Sequence, residues 1–365
     1  MSTRYTYFLV VPGLIIANLL TACTEQTPKD TGPIEIGEIE LAEYESVIAK
    51  NNLLLGMPVR IKHDQPTGHM FILDAAHEAV IELDAQYNEV RRYGTTGRGP
   101  GEVQFPHDFF ITAEHLFIVD GSWFFIHKYS RLDGAFISSL DYGELVTRGE
   151  DGNLVSPDAP LTSNNNRPFV TLNETVLLPS QFNGEHLYKA VTWEGEKVAD
   201  IGDLPEGYRA LANDEEAGQS LRANRVPTHE LALAFPVNDL TNPDEVFIVY
   251  SAIPKITKYT LDGDKIREKT IPATPEIDSL KIDLGNVLEN HPDQPLYLLT
   301  YTNMDTPYTQ GRPMWIHQFD SEGTLVNRYK MISDTDQYYY PGIDFSNRTI
   351  FTPSFNESDV RMYTY

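Results

Sequence analysis

Cysteine is almost absent from this sequence. Cys23 is the only one in 365 residues, so no disulfide can form within the chain. Positive charge is also scarce. The 28 Lys and Arg stand against 53 Asp and Glu, a formal net charge of −25. That balance argues against a nucleic-acid partner, which wants a basic face, and reads as a solubilising surface. Long amphipathic helical patterns are nearly missing. Metal signatures are missing as well: there is no His-x-x-x-His pair on a helix, no Cys-x-x-Cys and no EF-hand loop. The nearest piece, "TLDGDK" (Thr260–Lys265), lacks the ligand-bearing glutamate at the proper distance. No metal or cofactor is signalled, although calcium ligands dispersed over the chain would leave no spacing to read.

What is present begins at the N-terminus. Arg4 is the only charged side chain before a largely apolar run, Tyr5 to Leu20, which is followed by "LLTAC", Leu19–Cys23. A short basic start, an apolar centre and small residues at the end describe a secretory signal. The alternative is a single membrane-spanning anchor, which wants about 20 apolar residues. The Leu-x-small-Cys ending resembles a bacterial lipobox. That resemblance implies lipidation of Cys23, cleavage just before it, and a partner that is the membrane itself. Residues 1–22 are then a signal peptide and residues 23–33, "CTEQTPKDTGP", a flexible polar tether.

From residue 34 to 365 the chain alternates short β-type runs with turn residues, and the runs recur. "HMFILD" (His69–Asp74) leads to "AVIELD" and "EVRRYG"; "HLFIVD" (His115–Asp120) leads to "FIHKYS" and "RLDGAFISSL". "TVLLPS", "EVFIVY", "PLYLLTY" and "RTIFTP" open four further copies. Asp-Gly and Gly-bearing links such as "LDG" at Leu132–Gly134 and "LDGD" at Leu261–Asp264 occupy one slot and suit hairpin turns. Repeats of roughly 40–50 residues with several strands each predict a propeller. The expected fold is all-β, a single six-bladed β-propeller. The last copy runs out at Tyr365 without an outer strand. "IEIGEIEL" (Ile34–Leu41) alternates like a strand and has no blade, so it is expected to complete the last blade and close the ring.

"YGTTGRGPGEVQFP" (Tyr93–Pro106) carries four glycines and an arginine. A P-loop would need Gly-Lys-Ser/Thr and a following helix; here Gly101 is followed by Glu102 and a strand. The stretch resembles the blade junction of NHL-repeat propellers through Gly94, Gly97, Gly99, Gly101 and Glu102, with Phe105-Pro106 closer than in that pattern. Together with the Cys23 motif and the repeats, residues 33–365 resemble TolB-like six-bladed propeller lipoproteins of Bacteroidetes-type bacteria. The resemblance implies a cell-envelope location and a lipid anchor. The Asp-box of sialidase propellers is missing.

In a propeller the blade-to-blade loops share one mouth of the channel, so ligand contacts are sought there. The candidates are Arg98, His107 and Asp108 at the first junction, Arg167 before the third inner strand, Arg225 and His229 before the fourth, and Tyr340 with Tyr338 and Tyr339 before the sixth. Arginines and aromatics converging there suit carboxylates or sugar-like groups. Each arginine alone also reads as a solvated loop residue. His107 and Asp108 are candidates for a general-base pair, or for a structural polar pair. Two long junctions, Gly143–Pro168 and Gly202–Pro227, are either a rim over the mouth or surface insertions. Two functions follow. One is a tethered binding or scaffolding propeller without catalysis, engaging an envelope protein, peptide or glycan. The other is a channel hydrolase or lyase acting on a carbohydrate or lactone.

Overall fold

The computed structural model describes residues 37–41, 43–47, 53–122, 124–147, 167–180, 186–209, 219, 228–251, 253, 255–271, 286–291, 294–301, 312–320, 324–333, 340–354 and 357–365. Cys23, the tether, Arg225, Tyr338, Tyr339 and most of the two long junctions lie outside these residues.

The chain enters the fold through two short strands, β1 (Gly37–Leu41) and β2 (Glu45–Ser46), and then builds six sheets in order. Blade one is β3 (Pro58–Asp64), β4 (His69–Asp74), β5 (Ala79–Leu83) and β6 (Glu89–Tyr93). Blade two is β7 (Pro106–Ile111), β8 (His115–Asp120), β9 (Phe125–Ser130) and β10 (Phe136–Asp141), followed by one short helix, α1 (Tyr142–Thr147). Blade three is β11 (Phe169–Val170), β12 (Val176–Pro179), β13 (His186–Val191) and β14 (Lys197–Asp203). Blade four is β15 (Ala234–Asn238), β16 (Glu245–Tyr250), β17 (Lys255–Thr260) and β18 (Lys265–Thr270). Blade five is β19 (Asn286–His291), β20 (Gln294–Tyr301), β21 (Arg312–Phe319) and β22 (Leu325–Ser333). Blade six has β23 (Gly342–Asp344), β24 (Thr349–Ser354) and β25 (Asp359–Thr364). The expected six-bladed, all-β propeller is the observed one.

Burial follows from this stacking. Both faces of a blade's middle strands are covered by neighbouring blades, so β4, β8 and β16 are buried from their second residue on and β5 throughout. That is why they read as continuous apolar runs rather than as alternation. Outer strands have one covered face, and β10 alternates accordingly. Val90, Ile137, Val198 and Ile266 are each the second residue of an outer strand, each skipped by the ladder and each exposed. These bulges interrupt the edge and discourage further pairing.

The closure expectation is corrected in one respect. An N-terminal strand does complete the last blade, but it is β2, whose Glu45 and Ser46 pair with Met362 and Arg361 of β25. Gly37–Leu41, within the segment expected to do this, instead adds in parallel to β22 as a fifth strand of blade five. The reason is local complementarity. Glu38 lies opposite Arg328 and Glu40 opposite Lys330, with ion pairs at 2.8 and 3.8 Å. Gly37 lies beneath Asn327, where a β-carbon would clash with the amide oxygen. Leu41 joins the core formed by Ile316, Tyr329, Met331 and Ile350.

The glycine loop links β6 to β7, as expected of a blade junction. It folds on itself: Gly97 donates to the Val103 carbonyl at 3.1 Å, and Val103 donates to Thr95 at 2.8 Å. The Gly99 N–H donates to the Glu102 carboxylate at 2.6 Å, so the anion at this cradle is the chain's own. Gly101 has φ +76°, and a β-carbon there would stand 2.7 Å from Phe136, so the close approach of loop to outer strand requires glycine.

Candidate ligand-binding site

Two neighbouring inner strands begin on equivalent prolines. Pro58 and Pro106 open the inner strands β3 and β7 opposite Asp74 and Asp120, and each is followed by the same break in register. Proline has no N–H to give the ladder, which suits a first strand position. The break leaves the residue two places on, Arg60 in blade one and Asp108 in blade two, at matching sites on neighbouring blades. They meet: Arg60 Nε lies 3.1 Å from Asp108 Oδ1, both side chains nearly buried.

Tyr340 arrives from the far end of the sequence. Its carbonyl accepts the Ile61 N–H at 2.9 Å and its N–H donates to the Val59 carbonyl at 3.2 Å, so blades six and one are joined through backbone at the axis. The Arg60 guanidinium carbon stands 3.7 Å from the centre of the Tyr340 ring, and that of Arg167 stands 5.9 Å from it. Both are within cation–π range. Arg167 Nη1 also makes a long contact, 3.5 Å, to the His107 carbonyl oxygen.

His107 points its Nδ1 at the Val119 carbonyl oxygen, 3.1 Å away. A carbonyl only accepts, so Nδ1 carries the proton and Nε2 keeps a lone pair. Burial lowers the His107 pKa, and the Arg167 charge lowers it further against an opposing pull from Asp108. The imidazole is therefore neutral near pH 7. Arg60 and Asp108 cancel, which leaves Arg167 as the net charge of this assembly. Among the described residues its contacts are the His107 carbonyl and the Tyr340 ring, with no carboxylate partner.

The structure thus brings together His107, Asp108, Arg167 and Tyr340 of the expected residues. Arg98 sits in the self-bonded glycine loop. His229 lies in a 3-10 turn (Thr228–Ala232), 6% exposed, with Nε2 3.6 Å from Glu230. Arg225 lies outside the described residues.

Three functional or positioning residues escaped the sequence reading. Arg60 lies in "PVRIKHD", which resembles none of the repeated runs; the available signal was its Pro-x-Arg spacing beside Pro-x-Asp in "PHDFFI". Asp74 and Asp120 end the matched runs "HMFILD" and "HLFIVD". Asp74 accepts the N–H groups of Gly56 and Met57 at 2.7 and 2.8 Å and His77 Nδ1 at 2.7 Å. Asp120 accepts the Gln104 and Ser122 N–H groups, both at 2.9 Å. Each carboxylate pins the loop entering an inner strand to the turn beside it, and so places Arg60 or Asp108.

Among the described residues no three His, Cys, Asp or Glu side chains converge as metal ligands would, and no helix is long and apolar enough to cross a membrane.

The sequence matches no family model and no curated protein. Similar folds occur among solved structures. A protein from Bacteroides fragilis described as exported has 11% identity and a TM-score of 0.51, covering 90% of this chain and 98% of that one. The β-propeller domain of Cps50 (Swd1) from Myceliophteria thermophila has 8% identity and a TM-score of 0.50, covering 89% and 99%. A streptogramin B lyase has 10% identity and a TM-score of 0.47, covering 88% and 97%. At these identities the likeness is one of fold: the chain is built as a six-bladed β-propeller, and its chemistry must be read from its own residues.

Proposed function

We propose that this chain is a lipid-anchored propeller of the bacterial cell envelope, similar to TolB-like and NHL-like propellers, that binds an anionic ligand at the blade-junction mouth without transforming it. The observation that carries the binding reading is Arg167: a guanidinium at the mouth, next to the Tyr340 ring and a neutral imidazole, with no carboxylate partner among the described residues. Arginine recognises carboxylate and phosphate through paired planar hydrogen bonds, and in a chain of net charge −25 such a focus favours anions locally.

The hydrolase or lyase alternative would draw on His107 and Asp108. A general base of that kind works best with a carboxylate on the far nitrogen of the imidazole. Here that nitrogen faces the Val119 carbonyl, and Asp108 is engaged by Arg60, an arrangement that favours holding a ligand over moving a proton.

Arg167→Gln is expected to abolish the response to anions. In a thermal-shift titration with acetate, glucuronate and inorganic phosphate, the wild type should be stabilised by at least one of them. The variant should bind it at least tenfold more weakly, equivalent to losing roughly 1.5–3 kcal/mol for a charged hydrogen bond. Equal responses in both proteins would remove the anion-binding reading.

The envelope location draws on the Leu19–Cys23 motif, and the exported Bacteroides fragilis protein of similar fold is consistent with it. Cys23→Ala is expected to release the protein from the membrane fraction or leave it unprocessed. Incorporation of labelled fatty acid into the alanine variant at the wild-type level would rule out Cys23 as the anchor.

A further inference from the structure

Blade two brings a serine, a histidine and an aspartate onto one face of its sheet. His127 on β9 lies directly opposite Ser139 on β10 and opposite Ile118 on β8, and Asp120 ends β8 two residues beyond Ile118. Ser139 Oγ stands 2.8 Å from His127 Nδ1. His127 Nε2 is buried without a hydrogen-bond partner and stands 3.9 Å from Asp120 Oδ2. Ser139 is exposed, whereas the imidazole and the carboxylate are buried.

The bulge in β10 makes this meeting possible. Because the ladder skips Ile137, Phe136 and Ser139 both lie on the face of His127. In a regular strand, residues three apart point to opposite faces. The rings of Phe125 and Phe136 flank the imidazole, with centroids 5.9 and 6.2 Å away. Packing does not demand a histidine here. The corresponding slot of blade one, two residues in from the Asp74–Ala79 pair, holds the fully buried Ile81. A buried imidazole with an unpaired nitrogen is costly in a slot that accepts isoleucine.

We propose that Ser139, His127 and Asp120 form a nucleophilic site for uncharged carboxylic esters, with Ser139 as nucleophile, His127 as its base and Asp120 as a positioning residue. The site uses none of the residues of the anion site and stands independently of that reading. Nucleophilic catalysis needs a nucleophile and a base in hydrogen-bond reach, with the base oriented by a third group. A carboxylate only accepts, so Asp120 favours the tautomer with the proton on Nε2, which leaves the Nδ1 lone pair for the Ser139 hydroxyl. Contacts of this kind are often long until substrate is bound.

Ser139 Oγ adds to the ester carbonyl carbon while its proton passes to Nδ1. The bond from that carbon to the leaving oxygen then breaks, and the same proton goes to the departing alcohol. Water adds to the acyl-serine and gives a proton to Nδ1; the bond to Oγ breaks, the proton returns to Oγ, and the acid is released. β10 is the outermost strand of its sheet, so alternate N–H groups along it have no ladder partner and can face the developing oxyanion. Asp120 and Asp141 stand on the same face, and their charges disfavour an anionic ester.

The probes are a fluorophosphonate and 4-nitrophenyl acetate, applied to the full-length protein at neutral pH. The fluorophosphonate should add once with loss of fluoride, at Ser139 by peptide mass spectrometry, and the ester should release a burst of about one equivalent of 4-nitrophenolate. Ser139→Ala should abolish both. His127→Gln should slow both by roughly 100-fold or more, the lower end of what a positioned base supplies. Ser138→Ala, whose hydroxyl accepts from Trp193 Nε1 at 2.9 Å on the other face, should react as wild type. Asp120→Asn removes the charge that holds the proton on Nε2, so nitrogen NMR shifts of His127 should show it moving to Nδ1 as labelling slows. A purely structural Asp120 would lower the melting temperature and leave the tautomer in place.

Absence of both adduct and burst in the wild type overturns the inference, and so does labelling that persists in Ser139→Ala. Labelling that needs Ser139 but runs at the wild-type rate in His127→Gln would make Ser139 a merely exposed hydroxyl and overturn it as well. If Asp120→Asn fails to fold, the Ser139 and His127 variants still decide.

Discussion

Asp74→Ala is expected to lower the stability of the whole propeller by about 2–4 kcal/mol, counting two stranded N–H donors at roughly 1–2 kcal/mol each. The carboxylate has no solvent exposure, and the groups it would abandon are the N–H donors of Gly56 and Met57 and the side chain of His77. Glu206→Ala, in the exposed turn after β14, is the control, and surface positions of that kind change stability by less than about 0.5 kcal/mol. Urea denaturation of both variants at pH 7 checks the contrast.

The same carboxylate predicts a pH dependence. Burial by itself would raise the Asp74 pKa, but the Gly56 and Met57 donors and His77 outweigh it, and the net shift is downward. A carboxyl whose pKa is lower in the folded than in the unfolded chain binds fewer protons when folded. Its contribution is therefore complete above the ordinary aspartate range and is lost as the pH falls through that range toward the folded value. Asp120 is shifted in the same direction by His127 and the Gln104 and Ser122 donors, again against burial. Wild type should lose stability on acidification from pH 6 toward pH 3, and Asp74→Asn should lose measurably less over that window. Parallel curves for the two would show that Asp74 is not among the titrating groups.

The second large effect concerns closure. Two truncations separate the roles of the N-terminal strands, compared with a body that begins at residue 37. Starting at residue 43 removes β1 alone and exposes the edge of β22, with the loss of one nearly buried leucine. Starting at residue 56 also removes β2 together with Val47, Leu53 and Leu55, which are 0%, 6% and 8% exposed in the core they share with Ile61, Phe351 and Val360. Fully burying a side chain of that size is worth roughly 1.5–3 kcal/mol. Three of them, plus the outer strand of blade six, exceed what the seam between blades six and one is expected to survive. The first truncation should remain folded with a modestly lowered melting temperature, and the second should lose the cooperative transition. Equal melting temperatures for the two would mean that β2 does not close the ring.

The blades themselves were legible. Middle strands such as "HMFILD" and "EVFIVY" are covered on both faces, so burial writes itself into composition. The hairpin at Gly134, with φ +78°, is a local matter that an Asp-Gly pair announces. The glycine loop was legible as a junction for the same reason, since the absence of Lys-Ser/Thr and of a helix is decided within a few residues.

The closing strands were not. β1 competes for partners that lie far away, Glu38 meeting Arg328 across 290 positions, and its alternation is as compatible with the edge of blade six as with that of blade five. Only the side chains already standing on β22 discriminate. The mouth shows the same division. Sequence placed His107 and Asp108 at the opening of one inner strand, and Arg167 and Tyr340 ahead of two others, because blade order dictates it. Arg60 and Asp108 become a pair only because matching bulges after Pro58 and Pro106 aim them at one another across a blade boundary. The pairing of Asp108 with Arg60 rather than with His107 was decided by the curvature of the ring, which brings first strands of neighbouring blades together while the two faces of one strand point His107 and Asp108 apart.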